Sequence, residues 1–380
     1  MGTFNFKKVK KKARIECPIY LWGAGSGGRC AFRELTKLSK NVSGFVDSNE
    51  SLEGMVMENR PVFKPASLIP MKGKILVIIS SIHIKGITQS LEKMGFIQWQ
   101  DYISIQDYLF QNKPDVHYSS EHYVNTSLST LNRMQNVKDA FILNIGSGTF
   151  LGVEIALILA GAKQVVSMDI LDMGYPDITE IKERYEDFIN LLLENKEFRE
   201  KYAVENIQKK LVSLFHESDE GICFNTNLIK FHNKSSECIP APDCYFDFVF
   251  SNSVMEHLAN PEKVIKDIIR VLKYKAVSYH QIDLRDHRNF DKPFEHLYMS
   301  RLEWNEKQEP FDFCSGNQFR GIEFKQWFEQ QGCTIESYTR NMILNDGCEP
   351  IDISDVHSDF KHIDQDELGA VDCFILVEKV

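Results

Sequence analysis

The sequence lacks any apolar run near the roughly 20 residues that a membrane-spanning helix needs, which excludes a helical membrane span. It has no Cys-x-x-Cys pair. Its nine cysteines are scattered, which argues against a zinc site or a disulfide framework and for reduced thiols in a cytoplasmic protein. It also lacks a basic excess: 44 Lys and Arg face 54 Asp and Glu, for a net charge of −10, so an extended phosphate backbone is a poor partner and no nucleic acid is expected. The basic cluster from Lys7 to Lys12 is followed by no hydrophobic signal core. Met1-Gly2 is followed by Phe6 where a myristoylation signal has Ser or Thr. What remains is an ordinary globular composition, 43% hydrophobic and 26% charged, over 380 residues. That length suits two or three domains, each with its own core. The class is a soluble enzyme acting on a small molecule.

Two α/β units are legible. The first, residues 1–110, holds a short apolar strand Ile19 to Trp22, the loop Gly23-Ala-Gly-Ser-Gly-Gly28, a helix to about Leu38, and a strand Val42 to Val46 ending on Asp47. Gly23, Gly25, Gly28 and Asp47 match a dinucleotide fingerprint in spacing. The alternative is a glycine turn that only lets strand and helix pack. A nearly all β-branched strand, Ile75 to Ile79, reads as buried on both faces. Residues 111–138 form a polar linker with a helix toward its end.

The second unit, 139–380, opens with the most informative stretch. A buried strand, Phe141-Ile-Leu-Asn-Ile145, runs into Gly146-Ser147-Gly148, and the next strand, Gln164 to Asp169, ends on a carboxylate. Glycines let backbone approach a ligand, and an acid at the following strand end accepts from ribose hydroxyls. The pattern predicts an adenosine site. It leaves open a dinucleotide or S-adenosylmethionine. Residues 172–221 read as a charged helical insertion, with Ile181, Tyr185, Phe188, Ile189 and Leu192 at helical spacing, serving packing, a dimer contact or a lid. Then come a strand Phe246 to Ser251, the segment Asn252 to His257, and a helix capped by Asn260 with Pro261 at its first position. A strand Ala276 to Asp283 leads into a polar segment, and strands Thr334 to Arg340 and Cys373 to Val380 close the chain.

Asn144-Ile-Gly-Ser-Gly148, Asp169 and Asp247-Phe-Val-Phe-Ser-Asn-Ser-Val-Met-Glu-His-Leu-x-x-Pro261 together resemble class I S-adenosylmethionine-dependent methyltransferases, over about 139–380. The resemblance implies an α/β fold with a Rossmann-like seven-stranded sheet whose last two strands form an antiparallel hairpin, beside the smaller N-terminal Rossmann-like unit. It implies S-adenosylmethionine as cofactor, bound by Asn144, Gly146, Ser147, Gly148, Asp169, Ile170, Ser251, Asn252 and Glu256. Two departures stand out. Tyr274-Lys275-Ala276 replaces the family's usual Pro-Gly-Gly, and Asn233 stands where an acid often contacts adenine. The run His280-Gln-Ile-Asp-Leu-Arg-Asp-His287 with Arg288 is similar to bacterial methyltransferases that modify sugars of capsule and O-antigen. The N-terminal unit is similar to domains fused to surface-glycan enzymes, some of which hold a nucleotide-sugar.

Methyl transfer to a sugar hydroxyl needs alignment and a general base. Ligands of open α/β sheets gather at the carboxyl ends of the strands. Asp283, Asp286 and His287 are the expected catalytic groups, with His280 and His257 as rivals and Arg285 and Arg288 as substrate-binding cations. The bland alternatives are a core histidine at 280, a helix brace at Glu256-His257, and surface ion pairs for the arginines. The reading assigns no metal ligands, although oxygen and imidazole groups at this cluster admit a divalent ion. The expected function is O-methylation of a nucleotide-activated heptose or hexose in surface-polysaccharide biosynthesis, by a cytoplasmic enzyme that could be a homo-oligomer. Alternatives are methylation of a non-carbohydrate metabolite, or an NAD-dependent sugar oxidoreductase or epimerase. The latter lacks a Tyr-x-x-x-Lys pair at a suitable distance.

Overall fold

A computed structural model describes residues 17–81, 83–98, 100–105, 108, 120–134, 136–148, 150–170, 182–202, 207–218, 221–307, 316–344 and 347–380. The basic Lys7 to Lys12 cluster, linker residues 111–119, and 172–181 of the expected insertion, Ile181 among them, lie outside the described residues. The chain divides into two compact units. One comprises Met1–Asn132, Thr149–Leu159 and Leu171–Asn225; the other comprises Arg133–Gly148, Ala160–Ile170 and Thr226–Val380.

Within the first unit, β1 (Ile19–Trp22), β2 (Val42–Val46), β3 (Val56–Met57), β4 (Arg60–Phe63), β5 (Leu76–Ile79) and β6 (Tyr102–Ser104) form a sheet in the order β3-β4-β2-β1-β5-β6. All four residues of β5 are buried, as its β-branched composition requires of a central parallel strand. The same unit has an aromatic core. Phe150 stacks on Tyr185 at 4.3 Å and meets Phe188 and Tyr123 edge-on, while the Tyr185 hydroxyl accepts from the Leu151 amide. Tyr185, Phe188, Ile189 and Leu192 of helix Lys182–Glu194 are fully buried. The apolar face of this segment serves packing. A short hairpin, β9 (Phe215–Ser218) with β10 (Gly221–Phe224), follows.

The second unit is built on β7 (Phe141–Ile145), β8 (Gln164–Asp169), β11 (Ile229–Asn233), β12 (Phe246–Asn252), β13 (Leu272–Asp283), β14 (Cys333–Asn341) and β15 (Asp372–Lys379). Their order is β11-β8-β7-β12-β13-β15-β14. The first five are parallel, and β15 and β14 run antiparallel as a closing hairpin. This is the seven-stranded arrangement expected of a class I methyltransferase. Helix Pro261–Val271 starts where the sequence predicts: the Asn260 side chain accepts from the Lys263 amide and Pro261 occupies the first turn. Its stripe of Val264, Ile265, Ile268 and Ile269 is buried in the core with Phe246, Val249 and Phe324.

Two local expectations need correction. β13 begins at Leu272, four residues before the predicted start at Ala276, because strand pairing resumes directly after the helix. The register with β12 shifts between Leu272 and Val277, and Lys275 takes a left-handed φ of +60° there, where the resembled family has glycine. Reduced thiols hold at Cys238, Cys244, Cys333, Cys348 and Cys373, but Cys30 is disulfide-bonded.

Candidate active site

The registers of the parallel strands bring their carboxyl ends to one edge. Ile145 pairs with Met168 and with Ser251, and Asn252 pairs with Gln281. The loops beginning at Gly146, Ile170, Ser253 and Leu284 therefore leave the sheet side by side. That edge is where open α/β sheets bind ligands.

The glycine loop is shaped by two left-handed residues, Gly146 at φ +70° and Gly148 at φ +67°. They differ in what a side chain would meet. A Cβ on Gly146 would sit 2.2 Å from Val254 Cγ2, whereas one on Gly148 would have nothing within 4 Å. The first glycine lets the loop after β12 close against the loop after β7. The second leaves open space. The Asp169 carboxylate accepts from the Gly148 amide at 2.7 Å, which joins the two strand ends. Asn233, next to Asp169 in register, is exposed and donates from Nδ2 to the Asp169 carbonyl at 3.3 Å. Asn144 is buried within β7, Ser147 carries a buried hydroxyl, and Ile170 is half-buried just past β8.

The loop after β12 begins with strain. Ser253 takes φ +52° while its amide donates to the Gln281 carbonyl. A 3₁₀ turn, Met255–His257, follows and is clamped by Asn317, whose side-chain amide donates to the carbonyls of Met255 and Leu258. The turn buries Glu256, 2% exposed, and neither carboxylate oxygen makes a well-formed hydrogen bond among the described residues. Burial, and then the charge of Asp283, hold this carboxyl well above the usual range. The His257 ring meets that of His287 edge-on, with centroids 4.9 Å apart. Burial, with the neighbouring His287, lowers its pKa to about 3.

Beyond β13, Asp283 accepts from Arg285 through both oxygens, at 2.9 and 2.6 Å, and lies 3.4 Å from His287 Nε2. Burial would raise its pKa, but the hydrogen bonds and charges of Arg285 and His287 outweigh that and hold it below the usual carboxylate range. Asp286 is wholly buried and paired through both oxygens with Arg288, whose guanidinium also covers the Trp304 ring at 4.1 Å. The structure therefore separates the expected trio: Asp283 and His287 share one site, while Asp286 braces Arg288. Arg285, bound to Asp283 and stacked on Phe290 at 4.6 Å, is likewise engaged.

His280 lies inside the sheet, not at its edge. Its Nδ1 is 2.7 Å from Ser251 Oγ and its Nε2 is 2.7 Å from Ser278 Oγ. The Ser278 hydroxyl also reaches the Val249 carbonyl at 3.2 Å. Donation there leaves Ser278 to accept from Nε2–H and Ser251 to donate to Nδ1, which assigns one neutral tautomer. Burial lowers the pKa of this ring to about 3, and it stacks on Phe328. Ser251 is fully buried with its hydroxyl spent on His280, whereas Asn252 at the strand end is half-buried.

The sequence reading missed a second layer beneath the cluster. Arg320 is wholly buried and donates to the carbonyls of Leu284, Glu367, Leu368 and Ala370, and burial lowers its pKa to about 10. His296 is also fully buried, with neither ring nitrogen hydrogen-bonded among the described residues; Gln318 donates to its carbonyl at 2.6 Å. The only signal was the polar run Gly316 to Arg320 ahead of an amphipathic helix. A separate cavity of about 430 Å³, lined by residues including Glu323, Arg340, His362 and Glu367, shares no residue with the carboxylate–imidazole cluster.

Residues 188–279 match the family described as "Methyltransferase domain". That stretch is similar to a methyltransferase domain. The match runs from helix Lys182–Glu194 into β13 and includes the Ser251 to Pro261 segment. The matched family is one of methyl-transferring enzymes. Among solved structures, the chain is similar to an S-adenosylmethionine-dependent methyltransferase from Mesorhizobium loti, at 10% identity, covering 69% of this chain and 98% of that one with a TM-score of 0.37. Another from Methanosarcina mazei shares 14% identity over 66% of this chain and 97% of its own, with a TM-score of 0.36. No curated protein matches the sequence. Among the described residues no helix is long and apolar enough to cross a membrane.

The loop geometry suits the cofactor. Gly148 combines a left-handed backbone with open space over its α-carbon, and the carboxylate at the end of β8 is drawn to the same loop.

Proposed function

We propose that this enzyme methylates a hydroxyl of a sugar, a nucleotide-activated heptose or hexose, in cytoplasmic steps of surface-polysaccharide assembly. The observation that carries the reading is the buried carboxylate–imidazole cluster of Glu256, His257, Asp283 and His287 on the sheet edge that also bears the glycine loop. S-adenosylmethionine, when bound, supplies a sulfonium methyl that needs no further activation. The protein's task is to hold the acceptor in line and remove its proton.

Gly146, Gly148 and Asp169 are the residues we assign to the adenosine, with Asn144, Ser147, Ile170 and Asn233 around it. Asn252 and the turn at Glu256 stand toward the methionine end. Asp283, held ionised by Arg285, stands 3.4 Å from His287 Nε2 and favours the proton on that nitrogen. Nδ1 is then the lone-pair nitrogen that takes the hydroxyl proton as the oxygen–carbon bond forms. His280 and Asp286, each fully engaged with other side chains, serve positioning. Arg288, held by Asp286, is the cation we assign to a sugar-linked phosphate.

In the N-terminal unit the glycines are filled by protein. A Cβ on Gly27 would lie 2.4 Å from the Ser80 carbonyl oxygen and one on Gly28 1.9 Å from that of Gly23. Both Asp47 oxygens accept backbone amides, from Ala24 and Asn49. These contacts support a packing role for the loop over a nucleotide site.

The test is methyl transfer from labelled S-adenosylmethionine to a panel of nucleotide-sugars and unrelated hydroxyl metabolites. Transfer to a nucleotide-sugar is expected, and His287→Ala should lower kcat by about 10²–10⁴ with cofactor affinity retained. Transfer confined to a non-carbohydrate acceptor would remove the sugar from the reading. Near-normal turnover in His287→Ala and Asp283→Asn would remove the catalytic assignment.

A further inference from the structure

Glu256, His257 and His287 each offer a ligand atom, and these atoms lie within 4.8 Å of one another. They come from two separate loops, after β12 and after β13, and are held there by independent devices: Asn317 clamps the first turn, and Asp283 stands 3.4 Å from His287 Nε2. The Glu256 carboxylate is the telling group. It is 2% exposed, and neither oxygen makes a well-formed hydrogen bond among the described residues, with the backbone amides of Glu256 and Asp283 nearby. A carboxylate withdrawn from water without a well-formed hydrogen bond is costly, and a cation in its reach would remove that cost. The nearby guanidinium of Arg285 does not serve, because it is bound to Asp283.

We propose that Glu256, His257 and His287 bind one divalent transition-metal ion, on which a hydroxyl of the methyl acceptor completes the coordination.

One carboxylate and two imidazoles suit zinc, cobalt, manganese or iron better than the all-oxygen preference of magnesium or calcium. Three protein ligands leave a position for an exogenous oxygen. Asp283, 3.4 Å from His287 Nε2, stands within a short shift of the outer-nitrogen position that a carboxylate takes beside a ligating histidine. In the metal-loaded protein the His287 lone pair is a ligand and no longer takes a proton. The ion then lowers the pKa of the acceptor hydroxyl, whose proton leaves to solvent as the oxygen attacks the methyl and the sulfur–carbon bond breaks. The ion site stands on geometry alone, while its role toward the acceptor rests on the hydroxyl-methylation reading.

The experiment uses the full-length protein, stripped with a chelator and titrated with Co²⁺ and Zn²⁺, with metal content measured after gel filtration. About one equivalent retained, and a Co²⁺ ligand-field spectrum of histidine coordination, are expected. Glu256→Gln and His287→Gln should each weaken Co²⁺ binding at least tenfold, and Asp283→Asn by about ten- to a hundredfold. Circular dichroism and calorimetry with S-adenosylmethionine identify variants that remain folded. Should the variants not fold, the wild-type spectrum and stoichiometry decide alone. Absence of bound Co²⁺ in the wild type, or unchanged affinity in folded Glu256→Gln and His287→Gln, overturns the site. Sugar methylation by metal-free enzyme overturns its catalytic role only, and metal binding without sugar turnover overturns the substrate reading only.

Discussion

The two glycines of the loop after β7 should respond differently to the same substitution. Both adopt left-handed backbone, so an alanine costs roughly 1–2 kcal/mol at either position. At Gly146 the added methyl lies 2.2 Å from Val254 Cγ2, and the resulting overpacking adds roughly 1–3 kcal/mol. Gly146→Ala is therefore expected to lose about 2–5 kcal/mol, a large share of a domain's usual 5–15 kcal/mol. Gly148→Ala has no contact within 4 Å and should lose only the backbone term. Its methyl instead enters the space assigned to the adenosine, so affinity for S-adenosylmethionine should fall at least tenfold. Chemical denaturation and calorimetry on both variants make the comparison. Val254→Ala should recover part of the Gly146→Ala loss, because the two sites are in contact. Equal destabilisation of the two variants would refute the packing argument. Unchanged cofactor affinity in Gly148→Ala would refute the placement of the ligand.

His280 should make stability depend on pH. Its folded pKa of about 3 lies below the unfolded value near 6.5, so the unfolded chain binds the extra proton between those limits. The contribution is complete above pH 6.5 and is lost as pH falls toward 3, with a slope of up to about 1.4 kcal/mol per pH unit. His280→Gln should flatten the stability–pH curve between pH 4 and 6, read by urea titrations; an unaltered slope refutes the neutral buried ring. Lys275 is exposed at φ +60°, so Lys275→Gly should stabilise the protein by up to about 1 kcal/mol, seen as a Tm rise of roughly 2–4 °C. A fall in Tm would show that the lysine side chain contributes something beyond its backbone conformation.

Much of the frame was readable because its signals are local. Phe141–Ile145 and Gln164–Asp169 are apolar runs that end on a glycine loop and an acid, and the Asn260-Pro261 pair marks a helix start by its own chemistry. The candidate cluster was readable only in part. Asp283, Asp286 and His287 are near neighbours in the chain, yet the loop turns Asp283 toward His287 and Asp286 toward Arg288, which itself covers Trp304. Loop direction carries no periodic signal, so spacing could not separate them. His280 was ambiguous for a different reason. A strand histidine can face either side, and only the paired serines at 251 and 278 show that it faces into the sheet.

By itself the sequence determined the strands Phe141–Ile145 and Gln164–Asp169, the helix start at Asn260-Pro261, the glycine loop with its acid, and the methyltransferase class, since each rests on residues adjacent in the chain. Only the tertiary structure decided which glycine is filled and which is open, because that depends on Val254 more than 100 positions away. It likewise decided that Glu256 stands beside two imidazoles without a well-formed hydrogen bond, and that Arg320 and His296 lie beneath the cluster. Burial and the convergence of separate loops at one sheet edge are properties of the folded chain, and the chemistry of this site is made from them.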